Sequence, residues 1–436
     1  MQMTDLIEKK KQGKKLLESE IKYIINNYSK GVIPDYQMSA LAMAIFFKGM
    51  DDDEIVFLTE SMRDSGEVND LTKIEGFTVD KHSSGGVGDK ISFIYGPLAA
   101  SFGLKVFKMS GRGLGITGGT IDKLESIPGF KLEITLEEAI KIINKCNMVI
   151  MSQSENMVPA DKKLYALRDV TATVNSIPLI SASIMSKKLA TNADGIVLDV
   201  KCGDGAFMKD IKSAKQLATL MVKIGKKCNK KITAEITNMD QPLGRAIGNS
   251  IEVYEAIKIL KGESDANDLI EIAAHSTAVS LVQSGMYDDE DKAYNDCLKK
   301  IKEGTTYPLF EKYVTAQGGD LKSFETDNLD QLLNTKYKLE IKAKKDGFMN
   351  IISNEKLGLL SIKLGAGRIV KEENIDHQSG IYLNKITGEA VKEGDVLITL
   401  YTNKTLQDDV KVLTQGIFEI TTNKPKKQKN ILEVIN

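Results

Sequence analysis

Apolar positions recur at helical spacing through residues 4–65, in Leu16, Ile21, Ile24 and Ile25 and again from 38 to 47. Pro34 interrupts the pattern, so the stretch predicts a small helical domain of more than one helix. From residue 75 the pattern changes to short apolar runs separated by amphipathic stretches. Residues 106–109, 148–151, 196–200 and 232–236 predict strands, and 136–145, 212–227 and 250–261 predict helices. Such alternation implies a largely parallel α/β sheet whose ligands sit at the carboxyl ends of the strands. After about residue 340 the chain turns strand-like again, with Gly and Lys at its turns (Lys345-Asp-Gly-Phe, Leu364-Gly-Ala-Gly, Gly394-Asp-Val-Leu-Ile-Thr-Leu-Tyr401). It predicts a separate small α/β or β-hammerhead domain, joined by the polar stretch 322–338. Lys424-Pro-Lys-Lys-Gln-Lys429 reads as a solvated tail.

A chain of 436 residues exceeds one ordinary core, which agrees with two or three domains. With 42% hydrophobic and 27% charged residues it falls among globular proteins, and a net charge of -1 argues against a dedicated nucleic-acid binder. No apolar run reaches the roughly twenty residues that cross a bilayer, and Met-Gln-Met-Thr-Asp-Leu-Ile has no signal-peptide block, so a cytoplasmic protein without a membrane partner is expected. Cys146, Cys202, Cys228 and Cys297 form no CxxC pair and read as reduced structural thiols.

The candidate chemistry begins between residues 79 and 130. Lys81-His-Ser-Ser-Gly-Gly-Val-Gly-Asp89 and Lys108-Met-Ser-Gly-Arg-Gly-Leu-Gly-Ile-Thr-Gly-Gly-Thr120 alternate glycines with hydroxyl and cationic residues. Bare backbone N–H groups approach an anion closely there, while Ser, Thr and Lys add donors around it. The second loop follows a strand and precedes a possible helix, an order that presents amide donors at the positive end of a helix dipole. Neither loop has P-loop or full GxGxxG spacing. Farther on, Tyr165 and Arg168 fall one turn apart if 159–170 is helical, as do Ser183 and Lys187 in 181–188. Two cations, a phenol and a hydroxyl so placed suit a planar polar ligand; a solvated helix face is the alternative.

These blocks, with Leu164-Tyr-Ala-Leu-Arg-Asp-Val-Thr-Ala-Thr-Val174, Ile33-Pro-Asp-Tyr-Gln-Met-Ser-Ala-Leu41 and Leu198-Asp-Val-Lys201, closely resemble the thymidine and pyrimidine-nucleoside phosphorylases. The resemblance covers nearly the whole chain. It implies an α/β protein with a small helical domain (1–70 and 160–190), a large mixed or parallel α/β phosphate-binding domain (71–159 and 191–335) and a C-terminal α+β domain (336–436), assembled as a homodimer.

By the same resemblance, phosphate is held by Lys81, Ser83, Ser92, Lys108, Met109, Ser110 and Thr120. The pyrimidine nucleoside is held by Tyr165, Arg168, Ser183 and Lys187, with His82, Arg168 and Lys187 as catalytic groups. The reaction implied is reversible phosphorolysis of uridine, thymidine and deoxyuridine to free base and pentose 1-phosphate. Arg168 and Lys187 would stabilise negative charge on the departing base, and His82, at a near-neutral pKa, would donate a proton or hydrogen bond to it. No cofactor is implied beyond phosphate as co-substrate.

Three positions depart from the family pattern. Ile116 replaces a usual His, and Ser84 a usual Thr. Some relatives hold a potassium ion at positions matching Gly88, Leu243, Ala246 and Glu255, but the remaining ligand, a Thr there, is Lys90 here. An ammonium group offers a cation no lone pair, yet could itself take the ion's place beside Glu255. Other readings are a strict thymidine phosphorylase, an anthranilate-type phosphoribosyltransferase, whose pyrophosphate loop resembles Gly85-Gly-Val-Gly-Asp89, and a non-catalytic nucleoside-binding protein.

Overall fold

A computed structural model describes residues 1–113, 118–369, 373–406 and 410–436. The chain opens with four helices, α1 (Met3–Lys11), α2 (Glu18–Ser29), α3 (Asp35–Lys48) and α4 (Asp52–Arg63). Asp51 caps α4 reciprocally with Glu54, and buried Glu54 also takes the Lys10 ammonium at 2.7 Å, which locks α1 to α4. Pro34 ends the first pair and supplies the extended residue ahead of α3.

There follow β1 (Thr78–Ser83), α5 (Ile91–Ser101), β2 (Lys105–Ser110), α6 (Thr120–Glu125), α7 (Leu136–Cys146), β3 (Met148–Ser152), α8 (Pro159–Val170) and α9 (Ile177–Thr191). Next come β4 (Gly195–Cys202), α10 (Ile211–Lys227), β5 (Lys231–Asn238), β6 (Ala246–Gly248), α11 (Ser250–Leu260), α12 (Asn267–Ser284), α13 (Glu290–Lys302), α14 (Tyr307–Ala316) and α15 (Leu329–Leu333). The remaining elements named here are β7 (Tyr337–Lys342), β8 (Gly347–Ile351), α16 (Asn354–Leu364), β9 (Gly380–Leu383), β10 (Ala390–Val391), β11 (Val396–Thr402), β12 (Phe418–Thr421) and β13 (Ile431–Ile435).

Six strands form the central sheet in the order β13-β5-β4-β1-β2-β3, parallel throughout except for β13. One face packs on α5, α11, α12 and α14, the other on the helical lobe, where α8 lies against α2 and α3, and α9 against α4 and α10. The strands and helices expected at 106–109, 148–151, 196–200, 232–236, 136–145, 212–227 and 250–261 all form, within one or two residues.

Three differences stand out. β1 occupies what reads as a glycine loop, because a central parallel strand buries Asp80 and Lys81 completely and pairs them with β4, while Thr78 and Val79 pair with β2 as well. The C-terminal part is two antiparallel sheets, β6-β9-β11-β7 and β10-β8-β12, and its first strand, β6, comes from residues expected in the α/β domain. The expected tail is solvated at its lysines, but just beyond them β13 re-enters the central sheet along β5, with Ile435 opposite Ala234.

Candidate active site

Several of the residues expected on the phosphate side lie near the carboxyl ends of β1 and β2. Ser83 ends β1, Ser110 ends β2, Ser92 lies in the first turn of α5, and Thr120 opens α6. The glycine loop 84–90 links β1 directly to α5, and at the start of that helix the Ile91 amide donates to Asp89 Oδ1 at 3.2 Å. Gly88 has φ 73°, and a Cβ there would stand 2.5 Å from the Leu243 carbonyl oxygen, so no other residue fits without moving the backbone. Gly85 N donates to Ser83 Oγ at 3.2 Å, and Ser83 Oγ donates to Asp89. Lys123 ties α6 to the same loop, donating to the Asp89 carbonyl at 2.7 Å and pairing with Glu252 at 2.7 Å.

Beneath the loop lies a chain of buried charge. Lys81 Nζ donates to Asp199 Oδ2 at 2.5 Å, Lys201 Nζ stands 2.8 Å from the same oxygen, and Thr237 Oγ1 donates to Asp199 Oδ1 at 2.5 Å. Burial alone would raise the pKa of both Asp199 and Asp89. The ammonium of Lys201, followed by that of Lys81, more than reverses this and holds both carboxylates ionised below their usual range.

Lys108 Nζ donates to the Lys81 carbonyl at 2.5 Å and stands 3.9 Å from Asp80 Oδ1. Burial, only partly offset by Asp80 and reinforced by Lys188 and Lys81, brings its pKa down to about 7. Lys188, from α9, donates to Asp80 Oδ2 at 2.9 Å and to the Met109 carbonyl at 3.3 Å, so the helical lobe is pinned to β1 and β2 here.

His82 sits among these groups. The near-neutral pKa expected for it is corrected by its surroundings: burial, then Lys188, Lys108, Lys187 and Lys81, push the ring well below its usual value. At neutral pH it is an uncharged hydrogen-bond donor and not a strong acid.

On the helical side Lys187 Nζ donates to Ser183 Oγ at 2.9 Å and to Asp161, whose other oxygen is buried without a hydrogen-bond partner. Tyr165 is 44% exposed, with the Arg168 guanidinium 6.0 Å from its ring centre. Arg168 does not lie open in the cleft as the helical spacing predicts. It is buried, donating to the carbonyls of Val174 at 2.7 Å, Leu179 at 3.1 Å and Thr173 at 3.3 Å. These bonds engage three of the five N–H donors of the guanidinium.

At the family's ion position, Lys90 Nζ donates to Glu255 Oε2 at 2.5 Å and to the carbonyls of Ala246 at 2.8 Å and Leu243 at 3.1 Å. The carboxylate is further fixed by the backbone amides of Arg245 at 2.7 Å and Ala246 at 3.1 Å. The side-chain ammonium already stands where these oxygens converge, and a potassium ion does not fit beside it.

Sequence reasoning did not single out Asp199, Lys201, Asp80, Lys188 or Asp161 as site residues. The available signal was ionisable residues inside apolar strand runs, Asp80-Lys81 in β1 and Asp199-Val-Lys201 in β4, where burial without partners would be costly. Ile116 lies outside the described residues.

The chain matches three family models in succession: the helical bundle domain of the glycosyl transferase family over residues 4–66, its a/b domain over 75–307, and the pyrimidine nucleoside phosphorylase C-terminal domain over 348–420. It is similar to the pyrimidine-nucleoside phosphorylase of Geobacillus stearothermophilus, 52% identical over 414 residues and 94% of each chain. Those of Staphylococcus epidermidis (49% over 410 residues) and Staphylococcus aureus (48% over 412) also cover 94% of each chain. Among solved structures, anthranilate phosphoribosyltransferase of Thermus thermophilus superposes with a TM-score of 0.59 at 18% identity, over 71% of this chain and 98% of that one, a likeness of fold. With this identity across almost its full length, the chain belongs to the pyrimidine-nucleoside phosphorylase family and is a pentosyltransferase.

Proposed function

We propose that the protein catalyses reversible phosphorolysis of uridine, thymidine and deoxyuridine, giving the free pyrimidine and ribose or deoxyribose 1-phosphate. What supports this reading is the placement of Ser83 and Ser110 at the carboxyl ends of β1 and β2 and of Ser92 and Thr120 at the starts of the helices that follow, with α9, which carries Ser183 and Lys187, pinned to the same strands through Lys188. Inorganic phosphate binds the first set and Lys81, and the pyrimidine binds Ser183 and Lys187, with Arg168 and Tyr165 beside the ring.

A phosphate oxygen bonds to C1′ as the bond from C1′ to the base nitrogen breaks and its electron pair leaves with the base. Lys187 faces the base oxygens, where that charge grows, and buried Arg168 adds its positive charge from within the helical lobe, an attraction strongest at the transition state. Neutral His82 donates a hydrogen bond to the base. The proton lost by hydrogen phosphate on ester formation balances the one the base takes up.

Lys90 replaces the potassium ion of some relatives, so turnover needs no added potassium. Two copies associate through α3, whose Tyr36 and Phe47 are each 75% exposed, with Met43 and Phe46 beside them. Light scattering is expected to give twice the chain mass; a monomer at micromolar concentration would refute that pairing.

The deciding assay incubates the purified protein with each nucleoside, with and without phosphate, and follows base release. Release from all three only when phosphate is present is expected. Release from thymidine and deoxyuridine alone would indicate the stricter thymidine enzyme. No release, together with magnesium-dependent consumption of a phosphoribosyl diphosphate, would instead favour the phosphoribosyltransferase reading.

A further inference from the structure

One oxygen of Asp199 serves two ammonium groups, Lys81 at 2.5 Å and Lys201 at 2.8 Å, and all three side chains are fully buried. Lys201 Nζ makes no directed hydrogen bond, and its next anion, Asp89, is 4.0 Å away. A single carboxylate does not need both cations. We propose that Lys201 is a positioning residue that keeps Asp199 neutralised when Lys81 turns from it to the phosphate, a role that rests on the phosphorylase reading of Lys81.

Lys81 has to loosen its contact with Asp199 to grip a phosphate. A buried carboxylate left without its cation shifts an equilibrium by on the order of 10²- to 10³-fold, enough to cancel most of what one lysine adds to phosphate binding. Lys201 removes that cost because it already stands on the same oxygen. The β-sheet register builds the arrangement: Ser83 lies opposite Asp199 on the neighbouring strand, and Lys201 is two residues farther along the same face of β4. The backbone also couples Lys201 to the phosphate loop, since its N–H donates to Ser84 Oγ at 2.8 Å.

The test is a double-mutant cycle on the full chain with Lys201→Met and Asp199→Asn. It reads inorganic phosphate affinity by calorimetry, KM for phosphate and for nucleoside, and melting temperature. Lys201→Met leaves Asp199 to hold Lys81 alone, so phosphate binding should weaken by on the order of 10²-fold while the nucleoside KM changes by less than about threefold. Adding Asp199→Asn releases Lys81 and should restore affinity to within about tenfold of the starting protein.

A double variant no better than Lys201→Met, or a Lys201→Met protein with lowered melting temperature but unchanged phosphate affinity, overturns the proposal. Should Lys201→Met fail to fold, the double variant alone decides, because it removes one ammonium and one carboxylate together and leaves the net charge of the cluster unchanged: a loss beyond about 10²-fold sinks the idea. Phosphate binding and base release by the unaltered protein test the phosphorylase reading separately, so the two can fail independently.

Discussion

On the sheet side of the cleft, Lys81, Lys90, Lys123 and Lys201 are all fully buried, each within 2.5–2.8 Å of a carboxylate on another element or strand position. On the helical side, Lys187 keeps 29% exposure beside its Asp161, and Arg168 is committed to three carbonyls of its own lobe. The first arrangement has its desolvation met during folding and, on the proposed reading, presents a prebuilt field to a small symmetric anion whose shape never varies, with Lys81 alone turning to meet it. On the proposed reading, the second offers one partly exposed cation, held by Asp161 and Ser183, to a base whose substituents differ between substrates. On that reading, a largely fixed bank meets the anion and a more open one meets the base.

The comparison breaks most readily at Lys90. Replacing it with Met leaves Glu255 buried without its cation, and a stability loss of about 3–5 kcal/mol is expected in denaturant unfolding. Lys90→Thr should lose as much in sodium and recover when potassium is added, since the carbonyls of Leu243 and Ala246 are already aimed at one point. An unaltered protein whose turnover vanishes without potassium would contradict the role given to Lys90.

A smaller effect, confined to turnover, is expected on the other bank. Lys187→Ala should lower kcat by on the order of 10²- to 10³-fold with little change in phosphate affinity. Smallest is Ser110→Ala, which should raise KM for phosphate by about tenfold, the worth of one hydrogen bond to a charged group, with kcat little changed. Initial-rate kinetics with each substrate varied in turn separates the two, and equal effects on both parameters would remove the division of labour.

How much of this could be read beforehand depended on the kind of burial. The runs that became β2 to β5 are apolar and bounded by turns, and α7 and α10 carry a clear stripe and good end signals, Thr135 with Glu138 and Asp210. By contrast α5 and α12 are buried almost all round, so no helical period marks them. β1 was hidden for the opposite reason, since Asp80, Lys81 and His82 contradict strand propensity and are tolerated only because partners on β2, β4 and α9 meet them. The loop after β1 was legible from its glycines, and the neighbours of Lys90 only through the family resemblance. The partnership of Lys81, Asp199 and Lys201 was not, because it exists only in the register of two strands more than a hundred residues apart.

The return of the chain into the central sheet has a mechanical consequence. Having left through α15 and built two small sheets, the backbone is stitched back by β13 along β5, with Asn238 Nδ2 donating to Gln428 Oε1 at 2.5 Å just ahead of the seam. The C-terminal module is therefore fastened at both its entrance and its exit. It cannot peel away or melt alone without unzipping an edge of the sheet that carries Asp199, so strain applied to the appendage is transmitted to the catalytic framework.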